Sequence, residues 1–228
     1  MDSKLQTVFI SVKSSTNSFF AEVSKRIDNR IILYVYKYPK DSLYYVIAYI
    51  SEPLSTNLIL EIARNYRNNI LKMHKYTYFQ ETYLTIIKQR CEFYELLEDY
   101  NVATFVPYTI YKGQRIYCVC GIAKDIDRYV ENMIAKYGRK NISIRNVDPH
   151  VCVEYQLKNI IDSYIFTMLT EKEKRLLMMA FKQGYISSRR KINLESLAES
   201  LDIAKPTASL MLRKAIEKIL KRLIESRL

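Results

Sequence analysis

The sequence predicts an α+β protein: tandem ferredoxin-like βαββαβ repeats followed by an all-α helix-turn-helix domain. Residues 1–150 pass through strand-like and helix-like patterns in the order βαββαβ, then repeat that order. Residues 193–215 read as two short amphipathic helices joined by a tight turn. The net charge of +12 is skewed toward that second feature, with 14 Lys/Arg against 7 Asp/Glu over residues 165–228. The expected division is a duplicated sensor or interaction domain over 1–150 (repeats about 1–79 and 80–150), a connecting helix over 151–169 and a DNA-binding domain over 170–228.

In the first copy LQTVFISVK is strand-like and FFAEVSKRI helical, and RIILYVYKY and LYYVIAYI are β-rich runs around the turn Pro39-Lys40-Asp41-Ser42. A helix over about 56–68 and the strand LKMHKYTYF complete it. The second copy begins at Glu81 with the strand TYLTIIKQ and the helix CEFYELLEDY. TFVPYTIY and IYCVCGIA then flank the turn Lys112-Gly113-Gln114, before a helix near 126–136 and the strand NISIRNV. The two hairpins share Tyr-rich flanks and an acidic helix start. Strand–helix–strand steps with short hairpins favour a sheet backed by helices on one face.

The other face then needs cover. In the first hairpin Ile31, Leu33 and Val35 form one apolar alternation and Ile32, Tyr34, Tyr36 and Tyr38 the other, with Tyr45 and Tyr49 joining the second set. A strand apolar on both sides is expected to be buried on both. The two sheets are therefore expected to pack face to face, or the Tyr face to meet another subunit or a ligand. Tyr34, Tyr36, Tyr38, Tyr45 and Tyr49 are the candidate residues for binding a small-molecule effector, although packing between repeats or subunits is the favoured use of that face.

Val151–Leu169 reads as a connecting helix with Val153, Leu157, Ile160, Ile161, Tyr164, Ile165 and Met168 on a broad apolar stripe. Thr170-Glu171-Lys172-Glu173 is a capping box in which Thr and Glu satisfy each other's orphan backbone donors. It opens a helix with Leu176, Leu177, Ala180 and Phe181 facing inward and Gly184 as its stop. In the following loop Arg189, Arg190 and Lys191 are placed to reach phosphates.

In the helix pair, Asn193 caps a first helix whose Leu194, Leu197, Ala198 and Leu201 share one face. Asp202 occupies a turn position that needs a left-handed backbone, which Asp tolerates, and Ile203 plugs the corner. Lys205-Pro206 starts the second helix, with Ala208, Met211, Leu212 and Ala215 inward. Its outer face carries Pro206, Ser209, Leu210 and Arg213, flanked by Lys205, Thr207 and Lys214. Short polar residues at the N-terminal end and cations along one side suit the major groove of double-stranded DNA. Leu212, Ile216, Ile219 and Leu223 continue as a heptad-like seam, with Leu220 and Ile224 beside it. That seam is expected to pack on the connecting helix or on a second subunit, and a palindromic operator would call for a homodimer.

The run LTEKEKRLLMMAFKQGY…INLESLAESLDIAKPTASLMLRKA resembles the DNA-binding domain of the archaeal bacterio-opsin activator family. That pattern is a Leu-Thr start, a helix ending in a Gly-aromatic pair, a short loop and the helix-turn-helix. The resemblance covers roughly the last 60 residues. It implies a transcriptional regulator with a variable N-terminal sensory or interaction region. The sequence departs from the pattern at Asp202, where Gly is usual, and at Ala204, where a Ser cap is usual.

Composition narrows the classes further. A pI of about 9.4 favours a polyanionic partner. No stretch has the pattern of a signal peptide or the apolar length of a membrane span, so a soluble cytoplasmic protein without a membrane partner is expected. Twenty Tyr and no Trp, with abundant Ile, Lys and Arg, resemble proteins of thermophilic archaea. With two His, four Gly and no nucleophile–base arrangement, neither an enzyme nor a cofactor is expected. The four cysteines are expected to be reduced and buried. Cys118-x-Cys120 with His150-x-Cys152 lacks the usual zinc spacing, so no metal is expected. The alternative function is RNA binding by the tandem ferredoxin-like units, although neither copy carries the Gly-Phe-aromatic strand on which such domains stack bases.

Overall fold

Two positions separate the strand Ile70–Tyr78 from the strand Glu81–Gln89, and the two pair antiparallel with Tyr78 opposite Glu81. That short connection decides the topology of the sheet. A computed structural model describes residues 4–13, 18–37, 42–78, 81–165, 168–187 and 189–225, with two compact units over residues 1–159 and 160–228.

The first unit contains β1 (Leu5–Lys13), α1 (Phe19–Arg26), β2 (Ile31–Lys37), β3 (Leu43–Ile50), α2 (Thr56–Ala63) and β4 (Ile70–Tyr78). There follow β5 (Glu81–Gln89), α3 (Glu92–Asp99), β6 (Ala103–Thr104), β7 (Tyr108–Tyr111), β8 (Gln114–Ile122), α4 (Ala123–Tyr137) and β9 (Ile142–Asn146). The expected run TFVPYTIY is interrupted at the cis peptide Val106–Pro107, so it supplies the two short strands β6 and β7. The turn Lys112-Gly113 has φ of 48° and 76°, the left-handed backbone of a two-residue hairpin. Tyr38, Pro39, Lys40 and Asp41 lie outside the described residues.

The expectation of two ferredoxin-like sheets packed face to face is corrected. The strands form one antiparallel sheet in the order β4-β5-β3-β2-β7-β8-β1-β9, with β6 beside β8. Read from either edge, the halves are β4-β5-β3-β2 and β9-β1-β8-β7, joined where Ile31 and Leu33 of β2 face Ile110 and Tyr108 of β7. In each half of the sheet the strand beside the outer edge comes from the opposite half of the sequence, β5 on one side and β1 on the other. Because β5 must turn straight back on β4, it occupies the position that β1 would hold in an independent first unit. β1 takes the matching place, paired with β8 from Leu5↔Ile122 to Lys13↔Gln114 and with β9. The exchange couples the repeats through backbone hydrogen bonds instead of side-chain packing alone.

Helices α1 to α4 cover one face and share a single core with the inward alternation of the strands, including Val8, Ile10, Ile31, Val46, Leu84, Ile110 and Val119. The other face receives α5 (Pro149–Tyr164). Its Tyr155 ring meets Phe9 edge-on at 5.0 Å and its hydroxyl lies 2.9 Å from Thr109 Oγ1. Gln156 Nε2 donates to the Pro107 carbonyl at 2.8 Å, and Arg30 Nη1 donates to Asn159 Oδ1 at 2.8 Å. Cys152 forms a disulfide with Cys118 of β8. The expectation of four reduced thiols is therefore corrected: only Cys91 and Cys120 are free. A sequence separation of 34 hides a pairing that depends on a helix crossing a strand. The apolar stripe expected on α5 is half-buried at Ile160 and Tyr164 but turned outward at three positions. Val153, Leu157 and Ile161 are 45, 53 and 44% exposed, whereas Cys152, Asn159 and Ser163 are buried. Tyr155, Gln156 and Asn159 find their polar partners on the sheet, and this outweighs apolar spacing.

No helix among the described residues is long and apolar enough to cross a membrane. None of the described His, Cys, Asp and Glu residues form a group of three that could hold a metal ion.

Candidate DNA-binding surface

The second unit is organised by α6 (Glu171–Lys182), α7 (Leu194–Glu199) and α8 (Lys205–Glu225). Thr170 Oγ1 accepts from the Glu173 N–H at 3.2 Å, and the Thr170 N–H donates to Glu173 Oε2 at 2.8 Å, which is the capping box read from the sequence. The same carboxylate, buried at 6% exposure, also receives Lys218 Nζ of α8 at 2.8 Å. Burial pushes the Glu173 carboxyl up, but Lys218 and the Thr170 donors outweigh it and hold it below its ordinary value.

Both turns of the unit close in the same way. At the end of α6 the Tyr185 N–H donates to the Ala180 carbonyl and the Gly184 N–H to the Phe181 carbonyl, with Gly184 at φ 76°. After α7 the Ile203 N–H donates to the Ala198 carbonyl and the Asp202 N–H to the Glu199 carbonyl, with Asp202 at φ 53°. Asp202 thus adopts the left-handed conformation expected of it. Asn193 Oδ1 accepts from the Ser196 N–H at 2.8 Å and starts α7.

Leu176, Ala180, Leu197 and Leu212 form the core of the unit, and Ala198, Ala208 and Ala215 are buried where the helices approach. One expected core position is corrected: Phe181 is 77% exposed. Glu173, Leu176 and Ala180 centre the buried face of α6, and Phe181 lies about 100° around the axis from Ala180. Of the seam expected along α8, Leu212 is buried and Ile219 half-buried, while Ile216 and Leu223, with Leu220 and Ile224 beside them, are 38 to 67% exposed; the inward positions after Ala215 are taken by Lys218 and Arg222. The Arg222 guanidinium lies 4.0 Å over the Tyr164 ring.

The outer face of the unit carries the cations singled out in the sequence. Arg190, Ser209 and Arg213 line a single groove of about 470 Å³, with Tyr185 and Leu212 in its wall. Arg190 stacks over the Tyr185 ring at 4.8 Å. Pro206, Thr207, Leu210 and Lys214 are exposed along α8, as are Arg189 and Lys191 in the preceding loop. Lys205 lies across the turn from α7 and pairs with Glu195 at 3.3 Å. Lys191 lays its aliphatic stem over Gly184, where an added Cβ would lie 2.9 Å from Cδ. The groove therefore gathers three of the expected contact residues, and the others flank it along α8 and the loop.

Sequence reasoning missed Lys218 and Tyr185. Lys218 falls on the helical stripe of Met211, Leu212 and Ala215, and a cation on an apolar stripe signals a buried partner. Tyr185 carried no signal beyond the Gly-aromatic pair that ends α6.

The tyrosines proposed for an effector are placed differently. Tyr34, Tyr36, Tyr45 and Tyr49 lie on β2 and β3, on the face opposite α1 to α4, and Tyr38 lies outside the described residues. Tyr49 donates to buried Glu81 at 3.0 Å, which also receives Tyr83 at 3.1 Å. Tyr36, opposite Tyr45, is 54% exposed. Burial and then Tyr36 raise the Tyr34 hydroxyl above its ordinary value. None of the four described tyrosines lines the cavity that opens on the helix-covered face of the sheet unit.

Residues 169–221 match the family described as "HTH DNA binding domain", the bacterio-opsin activator type. The match runs from the capping box through the helix pair and most of α8, and the chain carries a helix-turn-helix DNA-binding domain. No curated protein shows significant similarity to the chain. Among solved structures, full-length DUF199/WhiA from Thermatoga maritima aligns over 91% of this chain and 94% of its own, at 10% identity and a TM-score of 0.22. A similarity at that level carries no argument about fold or function.

Proposed function

We propose that the chain is a sequence-specific transcription regulator that docks α8 in the major groove of double-stranded DNA. One observation carries this reading: the residues matching a DNA-binding family are those whose outer face gathers Arg190, Ser209 and Arg213 in one groove. Arg213 and Ser209 are the base-reading groups, since Arg bonds guanine bidentately and a hydroxyl bonds either edge. Arg189, Arg190, Lys191, Lys205, Thr207 and Lys214 position the domain on the phosphates, while Pro206 and Leu210 supply apolar contact. The sheet unit serves effector sensing or dimerisation. For the homodimer, the exposed stripe Ile216, Leu220 and Ile224 recurs at helical spacing on α8 and offers an isologous contact. Selection of bound duplexes from a random library tests the reading. Enrichment of a defined motif by the wild-type chain is expected, and enrichment of none would contradict it.

A further inference from the structure

Arg115 opens β8 with its side chain on the helix-covered face, opposite Val12 of β1 and Ile110 of β7. It is 6% exposed and its Nε has no hydrogen-bond partner. Its guanidinium stacks on the Phe93 ring at 4.0 Å, and among the described residues it forms no ion pair with a carboxylate. A buried guanidinium without a counter-ion is unfavourable unless something else supplies the negative charge. Glu92 and Glu95, which line the same cavity as Arg115, are paired with other cations: Glu92 with Lys136 at 3.0 Å and Glu95 with Arg90 at 3.6 Å.

Arg115 lines a cavity of about 430 Å³ that also receives Lys88 of β5 and Arg90 just after it. Lys88 Nζ lies 5.3 Å over the Tyr94 ring. The rest of the wall is mixed: Phe19, Phe20, Ile86 and Phe93 give it an apolar side, and Asn65, Asn68 and Asn69 a polar one. Lys88, Arg90 and Arg115 against Glu92 and Glu95 leave the cavity wall with a net positive charge. Although burial raises the Cys91 thiol, Lys88 and then Arg115 outweigh it and bring the thiol below its ordinary value.

We propose that this cavity binds a small organic carboxylate with an aromatic or branched apolar body, its carboxylate on Arg115 and Lys88. The free Nε of Arg115 offers the side-on donor edge that a carboxylate oxygen fills, and the guanidinium fork favours planar carboxylates. The apolar side of the wall takes the body of the ligand. The site joins strands of both repeats, since Arg115 comes from the second and Phe19 from the first, while Lys88 lies on the strand exchanged into the first half. Occupancy would tighten the connection between the halves of the sheet. This names the effector class for the regulatory reading and rests on that reading only for its regulatory consequence; binding itself is independent of DNA.

The test is ¹⁹F NMR of 4-fluorobenzoate titrated with the full-length chain in the absence of DNA. Saturable broadening, reversed by unlabelled benzoate and absent with 4-fluorobenzyl alcohol, is the expected result. Arg115→Met is expected to weaken binding at least about tenfold. If that variant loses its far-UV circular dichroism, Lys88→Gln at the cavity wall provides the reading, with a loss of about threefold or more. No saturable binding by the wild type up to about 10 mM overturns the proposal. So does equal binding of the alcohol, or binding undiminished in the folded variants. Displacement by inorganic phosphate at the same concentration as benzoate overturns the assignment to an organic carboxylate. Duplex affinity of the same wild-type preparation, measured separately, reports on the regulatory reading alone.

Discussion

Lys218 Nζ sits 2.8 Å from Glu173 Oε2, across 45 residues, and fastens the middle of α8 to the first turn of α6. α8 is thereby held at two places along its buried stripe, by Ala208 against α7 and by this ion pair against the capping box. Lys218→Met is expected to destabilise the DNA-binding unit by about 1 kcal/mol, since the lysine is partly exposed and the pair is screened. Urea melts followed by circular dichroism measure it.

The same contact sets a pH dependence. The folded-state pKa of Glu173 lies below its unfolded value, so its contribution is complete above the ordinary carboxylate range and disappears as pH falls through the folded value. The stability difference between wild type and Glu173→Gln is therefore expected to be largest near neutral pH and to shrink in acid. A difference that grows on acidification would contradict this assignment.

Two left-handed positions make opposite predictions. Gly184→Ala forces a Cβ into a φ of 76° and against Lys191, and is expected to cost about 1–2 kcal/mol. Asp202→Gly relieves the same kind of strain at φ 53° and is expected to be neutral or slightly stabilising. Paired thermal melts compare them.

Thiol titration checks the sheet unit. The denatured, unreduced chain is expected to react at Cys91 and Cys120 alone, and at Cys118 and Cys152 only after reduction. Closing a loop with a sequence separation of 34 restricts the unfolded chain, so reduction is expected to lower stability by about 3–4 kcal/mol. Four reactive thiols before reduction would remove the disulfide from the account.

The helix-turn-helix was legible because its signals are local. Asn193, the capping box, Gly184 and Asp202 each act within a few residues of their own position, where sequence spacing is informative. The sheet was legible in element order and not in pairing. Nothing in LQTVFISVK says that it will lie between β8 and β9, whereas the two positions between Tyr78 and Glu81 do force β5 beside β4. Phe181 and Leu157 were misplaced because apolar spacing does not reveal which polar neighbours find partners. Arg115 escaped notice because a single arginine at a strand start carries no pattern; its meaning comes from the missing counter-ion.

The most direct test is fluorescence anisotropy of a labelled duplex titrated with the full-length chain, comparing wild type with Lys205→Ala/Arg213→Ala across a salt series. The account predicts salt-dependent binding by the wild type. It also predicts that the double variant binds at least about tenfold more weakly and that its log–log salt slope is shallower by about one or two. Equal affinity and an unchanged slope in the two proteins would contradict the assignment of α8 as the DNA-contacting helix.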